Sequence, residues 1–322
     1  MDVGRTLLFV PGDRPDRIGK ALNGDADAVA VDLEDAVDAA AKDSARALAA
    51  EALAAHAPRE PSADGPGGSR YGRPRVFVRV NEPGTAEAEA DLPAVLALLG
   101  RVRLDGLIVP KVRSAEQLTA LDGTLRAAET AAGTGPGELS LLPVVESAAG
   151  VLASPAIAAA GPRVRTLLFG TLDLAAELGV RPSADGRELL HARSRLVLAA
   201  RAAGLPGPLD GPHAALDDED GLRRSTFAAR ELGFSGRVVL HPRQVAPVRA
   251  AFAPTDAEVA RAREVLAAYG EAAGRGVGAV RLSDGTFVDR PVVTRARALL
   301  REAGDDPVDD PADDAEHAEP AR

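Results

Sequence analysis

The chain has 322 residues, 46% of them hydrophobic, with only 3% aromatics and no Trp, so it can fill one large domain with an aliphatic core of Ala, Val and Leu. It contains no Cys, which excludes disulfides, thiolate metal sites, iron–sulfur clusters and a Cys nucleophile. The net charge of −10 gathers at the end, where residues 304–322 hold eight acids and one Arg, or −7, and leave −3 for the rest. That is no basic footprint for nucleic acid, and no apolar run approaches the roughly 20 residues that cross a membrane. A strand begins almost at once, with no basic-then-apolar leader ahead of it, and a cytoplasmic protein is expected.

Thr6–Val10 reads as the first strand, followed by Pro11-Gly12-Asp13-Arg14-Pro15 and a helix through Lys20. Ala28–Leu33 is the second strand, ending on Glu34-Asp35 and leading to an Ala-rich helix over Asp38–Ala55. Pro61–Arg73 is rich in Gly, Pro and Ser and reads as a surface loop. The third strand, Val76–Val80, carries Arg79 inside its end and Asn81 beyond it, with an amphipathic helix over Glu87–Leu99. Gly106–Val109 is the fourth, with Lys111 just past it, and Ser114 caps a helix that stops before Gly133. Gly133–Gly137 precedes a strand, so it is a linker; a phosphate cradle needs its glycines between a strand and a helix N-terminus.

Leu139–Val145 runs into Glu146 and a helix over Ala148–Ala159; Val164–Phe169 runs into Gly170 and Asp173. A helix over Asp185–Ala203 precedes the short seventh strand, Pro208–Leu209, which ends on Asp210. After a helix over Asp217–Leu232, Val238–Leu240 is the eighth strand and ends on His241. Helices over Gln244–Phe252 and Asp256–Ala273 follow. Asp284-Gly285 then marks a hairpin between 280–283 and 286–288, and Asp289 opens a last helix to Ala303. Eight strands alternating with helices predict an α/β fold, a (β/α)₈ TIM barrel whose chemistry stands at the C-terminal strand ends. The expected division is 1–255 barrel, 256–303 helical extension and 304–322 disordered acidic tail.

Glu146 and Asp173 stand past adjacent strands and can face one point above the barrel. Two carboxylates with open positions suit Mg²⁺, which keeps waters and accepts substrate oxygens; the alternative is that each caps a helix or pairs with an Arg. Arg79 must point into the barrel or the helix layer, and buried there it needs an acid or an anionic substrate. Asp32 and Glu34 share one side of their strand by alternation, and with Asp35 they are candidates to support Arg79 or Lys111. Arg14, Arg17, Lys20 and Lys42 gather near the first two strand ends, either to bind phosphates of a large cofactor or as solvated helix charges. His241 reads as structural, and no Gly-x-Ser-x-Gly context supports a Ser–His–Asp triad.

Several motifs now stand in order: Leu8-Phe9-Val10-Pro11-Gly12 with Arg14-Pro15; Asp32-Leu33-Glu34-Asp35-Ala36-Val37 with Lys42 and Ala45-Arg46; Val78-Arg79-Val80-Asn81; Pro110-Lys111; Pro143 through Glu146; Phe169-Gly170 with Asp173-Leu174; Asp210-Gly211; His241-Pro242 with Gln244; and Gly285 with Val288-Asp289-Arg290-Pro291. In this order they closely resemble the citrate lyase β-subunit-like family of CoA-ester lyases, within the HpcH/HpaI aldolase superfamily. The resemblance implies a TIM barrel, commonly a homotrimer or a dimer of trimers, binding Mg²⁺ (with Mn²⁺ as an alternative) through Glu146 and Asp173. It implies that Arg79 contacts substrate and steadies an enolate, and that Gly170, Thr171, Leu172 and Asp173 hold an α-keto acid carboxylate. It implies a C-terminal segment that covers a neighbouring subunit's site and delivers the catalytic Asp289. Arg14, Lys20 and Lys42 would lie toward the CoA phosphates, with Glu34 and Asp35 behind the reacting groups. Asp35 stands where the superfamily's metal-dependent aldolases place a His, which favours the CoA branch.

The leading expectation is reversible Claisen-type cleavage of a malyl-, citramalyl- or citryl-CoA type ester to acetyl-CoA and an α-keto acid. Within enzymes the alternatives are malate or citramalate synthesis, thioester hydrolysis at the same site, or an aldolase without CoA. Outside them stands a subunit that works only inside a citrate lyase-type complex.

Overall fold

The computed structural model describes residues 3–56, 73–102 and 104–305. The Gly/Pro/Ser-rich segment as far as residue 72 and the acidic tail from 306 lie outside the described residues. The chain forms two compact units, divided along the sequence between Phe252 and Ala253.

The first unit is a closed barrel of eight parallel strands: β1 (Thr6–Pro11), β2 (Ala28–Asp32), β3 (Arg75–Arg79), β4 (Gly106–Val109), β5 (Ser140–Val145), β6 (Leu168–Phe169), β7 (Leu209–Asp210) and β8 (Gly236–Val239), in that order around the ring. The surrounding helices are α1 (Pro15–Leu22), α2 (Lys42–Ala55), α3 (Ala86–Leu96), α4 (Ala115–Ala132), α5 (Ala148–Ala158), α6 (Thr171–Leu178), α7 (Leu190–Ala202), α8 (Glu219–Leu232) and α9 (Val245–Phe252). Parallel neighbours need a crossover, and a helix supplies it between each two consecutive strands. Short polar residues set the helix starts: Ser114 and Gln117 form a capping box before α4, and Ser147 accepts from Gly150 N before α5.

Two differences from the sequence reading stand out. The sixth run is not one strand from Val164. Val164 bridges to Leu141, and regular pairing resumes only at Leu168 opposite Val144. The eight-residue helix α6 was also not anticipated. Its short Leu/Ala-rich run has a Gly at its start instead of a capping side chain, although Gly179 in the left-handed conformation does mark its end.

Alternation along the strands sorts side chains between two cores. Leu8, Val10, Val29, Val31, Val78, Leu107 and Val109 face the helices in the larger cluster. Leu7, Ala28, Ala30, Phe77, Ile108, Leu142, Val144, Leu168, Leu209 and Val238 fill the barrel interior. Two residues above this layer on the same inward faces stand Asp32, Arg79 and Glu146, and the period of two therefore lifts the chemistry directly onto an apolar floor.

The second unit pairs α10 (Asp256–Ala273) with α11 (Arg290–Ala303) and carries a two-stranded antiparallel hairpin, β9 (Val280–Arg281) and β10 (Phe287–Val288). Its own core holds Ala262, Val265, Leu282, Val288, Val293, Ala296 and Leu300. Among the described residues no helix is long and apolar enough to cross a membrane.

Candidate active site

Arg79 is the hub. Asp32 and Arg79 are register partners on β2 and β3, so their side chains leave the sheet side by side. Arg79 Nε and Nη2 donate to the two carboxylate oxygens of Asp32 at 2.7 and 2.6 Å, a bidentate fork. Nη1 pairs with Glu34 Oε2 at 2.6 Å and lies 3.7 Å from Asp35. The guanidinium also sits over the Phe9 ring, 5.1 Å from its centroid. Burial works against the charge of Arg79, but Asp32, Glu34 and Asp35 outweigh it and raise its pKa further above the ordinary Arg value. The supporting acid that matters most is thus Asp32, which is 1% exposed, rather than the half-exposed Asp35.

Lys111 joins this hub to Glu146. It takes a left-handed backbone, φ 51°, where a non-Gly residue is strained by about 1 kcal/mol or more. That turn aims its N–H at Glu146 Oε1, 2.7 Å away, while its ammonium reaches Glu34 Oε1 at 2.6 Å. Burial lowers the pKa of Lys111, but the hydrogen bond and charge of Glu34, with Asp35 and Glu146, raise it above the usual range. Glu34 is moved mainly by burial, which raises its pKa despite the two cations.

Glu146 is 4% exposed, and burial pushes its carboxyl up to about 8; the Lys111 N–H opposes this, while the charges of Asp173 and Glu34 add to it. Its Oε2 accepts no hydrogen bond among the described residues. Asp173, in the first turn of α6, lines the same cavity of about 180 Å³ as Arg79, Glu146 and Gly170. Among the described residues no three His, Asp or Glu side chains converge as a metal cage. What the site offers is one buried carboxylate with a spare oxygen and a second acid facing it. That donor set fits Mg²⁺, which retains waters and takes substrate oxygens as its other ligands.

Gly170 makes the pair possible. A Cβ there would overlap the Cβ and Oε2 of Glu146. At φ −84° an Ala is conformationally acceptable, so the obstacle is purely steric. Gly170→Ala is expected to push Glu146 aside, lower Mg²⁺ affinity about tenfold or more, and cost about 1–3 kcal/mol of stability; calorimetric Mg²⁺ titration and thermal melting check both.

The sequence-predicted cations divide. Lys42 is committed to the scaffold. Its ammonium donates to Leu33 O, Glu34 O and Asn81 Oδ1 at 2.7, 2.7 and 2.8 Å, which uses its three protons and leaves none for a CoA phosphate. Asn81 in turn donates to Asp91, which is fully buried and paired with Arg46. This chain of bonds pins the loop that bears Glu34 and Asp35. Arg14 is exposed beside Asp16, and Lys20 is exposed near the end of α1. Asp210 is buried between Arg193 and Arg237, and His241 accepts from Arg243 N. Asp289 opens α11 in the second unit, with Oδ1 3.5 Å from Val292 N.

Against known proteins, the model of the HpcH/HpaI aldolase/citrate lyase family matches residues 5–242. The citrate lyase subunit beta of Leuconostoc mesenteroides subsp. cremoris is 35% identical over 297 residues, 92% of each chain. The L-malyl-CoA/beta-methylmalyl-CoA lyase of Cereibacter sphaeroides is 33% identical over 317 residues, 93% of this chain and 94% of that protein. Among solved structures, CitE of Mycobacterium tuberculosis in complex with magnesium, acetoacetate and coenzyme A superposes with a TM-score of 0.73 at 34% identity, covering 94% of this chain and 98% of the other.

Proposed function

The chain belongs to the HpcH/HpaI aldolase/citrate lyase family, and we propose that this CoA-ester lyase cleaves a 3-hydroxy-3-carboxyacyl-CoA to acetyl-CoA and an α-keto acid. The observation that carries the reading is the convergence of Arg79, Glu146 and Asp173 on one cavity beside the N-terminus of α6.

Glu146 and Asp173 would hold the Mg²⁺, whose chemistry is to acidify the substrate hydroxyl and polarise the nascent keto oxygen. The first N–H groups of α6 follow Gly170, which offers no side-chain cap, so they are available to a substrate carboxylate. Arg79, already fixed by Asp32 and Glu34, faces the thioester oxygen as enolate charge develops and needs no reorganisation to stabilise it. Asp289 of a neighbouring subunit would protonate the enolate carbon, in a homotrimer or dimer of trimers, and Arg14 and Lys20 would meet the CoA phosphates.

The test supplies the protein with Mg²⁺ and malyl-, citramalyl- or citryl-CoA. Equal amounts of acetyl-CoA and keto acid, no free CoA and loss of turnover with a chelator are the expected results. Free CoA in step with turnover would instead favour a synthase or thioesterase. Asp289→Asn is expected to lower kcat by about 10²–10⁴-fold with little change in Mg²⁺ affinity; unchanged kcat removes Asp289 from the mechanism.

A pH dependence follows from the buried Glu146. Below about pH 8 its proton competes with the cation, so Mg²⁺ affinity rises with pH by roughly tenfold per unit and levels off above that point. Without metal the sign for stability is the reverse. Between its ordinary pKa of 4.5 and about 8 the folded Glu146 keeps a proton that the unfolded chain has released, so its contribution falls as pH rises. Glu146→Gln should flatten both slopes, as read by Mg²⁺ titration and by thermal melts at several pH values.

A further inference from the structure

The cavity lining is of two kinds. Glu146, Asp173, Asp35 and Arg79 supply its charged groups, and Phe9, Val144, Leu168 and Val238 of the barrel interior, with Leu240 and Pro212, supply apolar surface. Val144, Leu168 and Val238 belong to the interior cluster and are 6%, 1% and 6% exposed. Among the described residues Arg79 is the only cationic side chain lining the cavity, and Asp32 and Glu34 already neutralise it. Lys111 and Arg193 do not line it; Glu34 and Asp210 hold them. Beyond the start of α6, proposed above for one substrate carboxylate, the described residues lining the cavity hold no unneutralised cation for a second.

Resting on the lyase reading above, we infer that the substituent on the carbinol carbon is uncharged and small, a hydrogen or a methyl group, so that the α-keto acid is glyoxylate or pyruvate and not oxaloacetate. In the reaction the hydroxyl loses its proton and the bond from the carbinol carbon to the carbon next to the thioester breaks. The electron pair stays on the latter, which is then protonated to acetyl-CoA, and the former becomes the keto carbon. The substituent on the carbinol carbon takes no part in this electron flow, so the surface it rests against selects it. A hydrogen or methyl group rests against Val144, Leu168 and Val238. A carboxymethyl group would bring an unpaired anion against that hydrocarbon, and buried unpaired charge is strongly disfavoured.

Two measurements on the full-length protein test this. With Mg²⁺, kcat/KM for citramalyl- or malyl-CoA is expected to exceed that for citryl-CoA by on the order of a hundredfold; an equal or greater value for citryl-CoA overturns the inference. Independently of turnover, calorimetry should give tighter binding of pyruvate than of oxaloacetate to the Mg²⁺-loaded protein, and equal or tighter oxaloacetate binding, or none of pyruvate, overturns it. If no ester is cleaved the lyase reading falls, while the keto acid titrations still decide the selectivity. Leu240→Arg, at a rim position that is 40% exposed, places a cation beside the floor. It should shift the ratio of oxaloacetate to pyruvate affinity toward oxaloacetate by about tenfold; an unmoved or opposite ratio overturns the electrostatic cause.

Discussion

Glu146→Gln is expected to reduce lyase turnover by about 10³-fold or more, because Lewis-acid help worth several kcal/mol is lost with the cation. The variant isolates charge from shape. The amide oxygen can still accept from the Lys111 N–H, which now meets Glu146 Oε1 at 2.7 Å, so the strained turn at Lys111 keeps its partner. Metal-free Glu146→Gln should melt at or above the temperature of the parent at pH 8, since a neutral amide removes the burial cost that holds the carboxyl's pKa near 8. Turnover and Mg²⁺ affinity near those of the parent would show that the cation is held elsewhere.

Replacing Arg79 should have the second large effect, and two substitutions separate its roles. Arg79→Lys keeps the charge but cannot reproduce the fork on Asp32 while also reaching Glu34. Its kcat is expected to fall by about 10²–10³-fold with a small loss of stability, the range seen when one preorganised donor to a developing oxyanion is removed. Arg79→Ala leaves Asp32 and Glu34, which are 1% and 4% exposed, without their shared cation, and a buried pair broken on one side costs about 3–5 kcal/mol. Denaturant titration of both variants beside steady-state kinetics separates the two effects. Arg79→Lys with parental kcat would place the enolate elsewhere.

Much of the candidate site was legible locally, for a physical reason. A strand's inward face repeats every two residues and its end is marked by the turn that follows, so Arg79, Glu146, Gly170 and Asp173 could be placed on the rim from their own neighbourhoods. Asp32 was visible as an acid on the right face of β2, but nothing local ranked it above Asp35. That ranking comes from the ladder in which Asp32 and Arg79 are register partners although 47 residues apart. Lys42 looked like a free cation near a strand end. Two of its bonds reach Leu33 and Glu34 in the loop after β2, and the third, to Asn81, depends on β3 lying beside β2. The helix α6 escaped because its eight residues have neither a capping side chain nor the first-turn proline that marks α1, and carry too short a period to read.

By itself the sequence determined the alternation of eight strands with helices, the aliphatic core, the absence of thiol chemistry and the rim positions of the acids and Arg79. These follow from periodicity, turn chemistry and composition, which act over a few residues. Only the tertiary structure decided which acid serves which cation, the left-handed turn at Lys111 that points its N–H at Glu146, and the apolar floor beneath the carboxylates. Barrel closure and strand register bring residues 35 to 77 positions apart within hydrogen-bond reach, and burial there sets both their charge and what can lie against them.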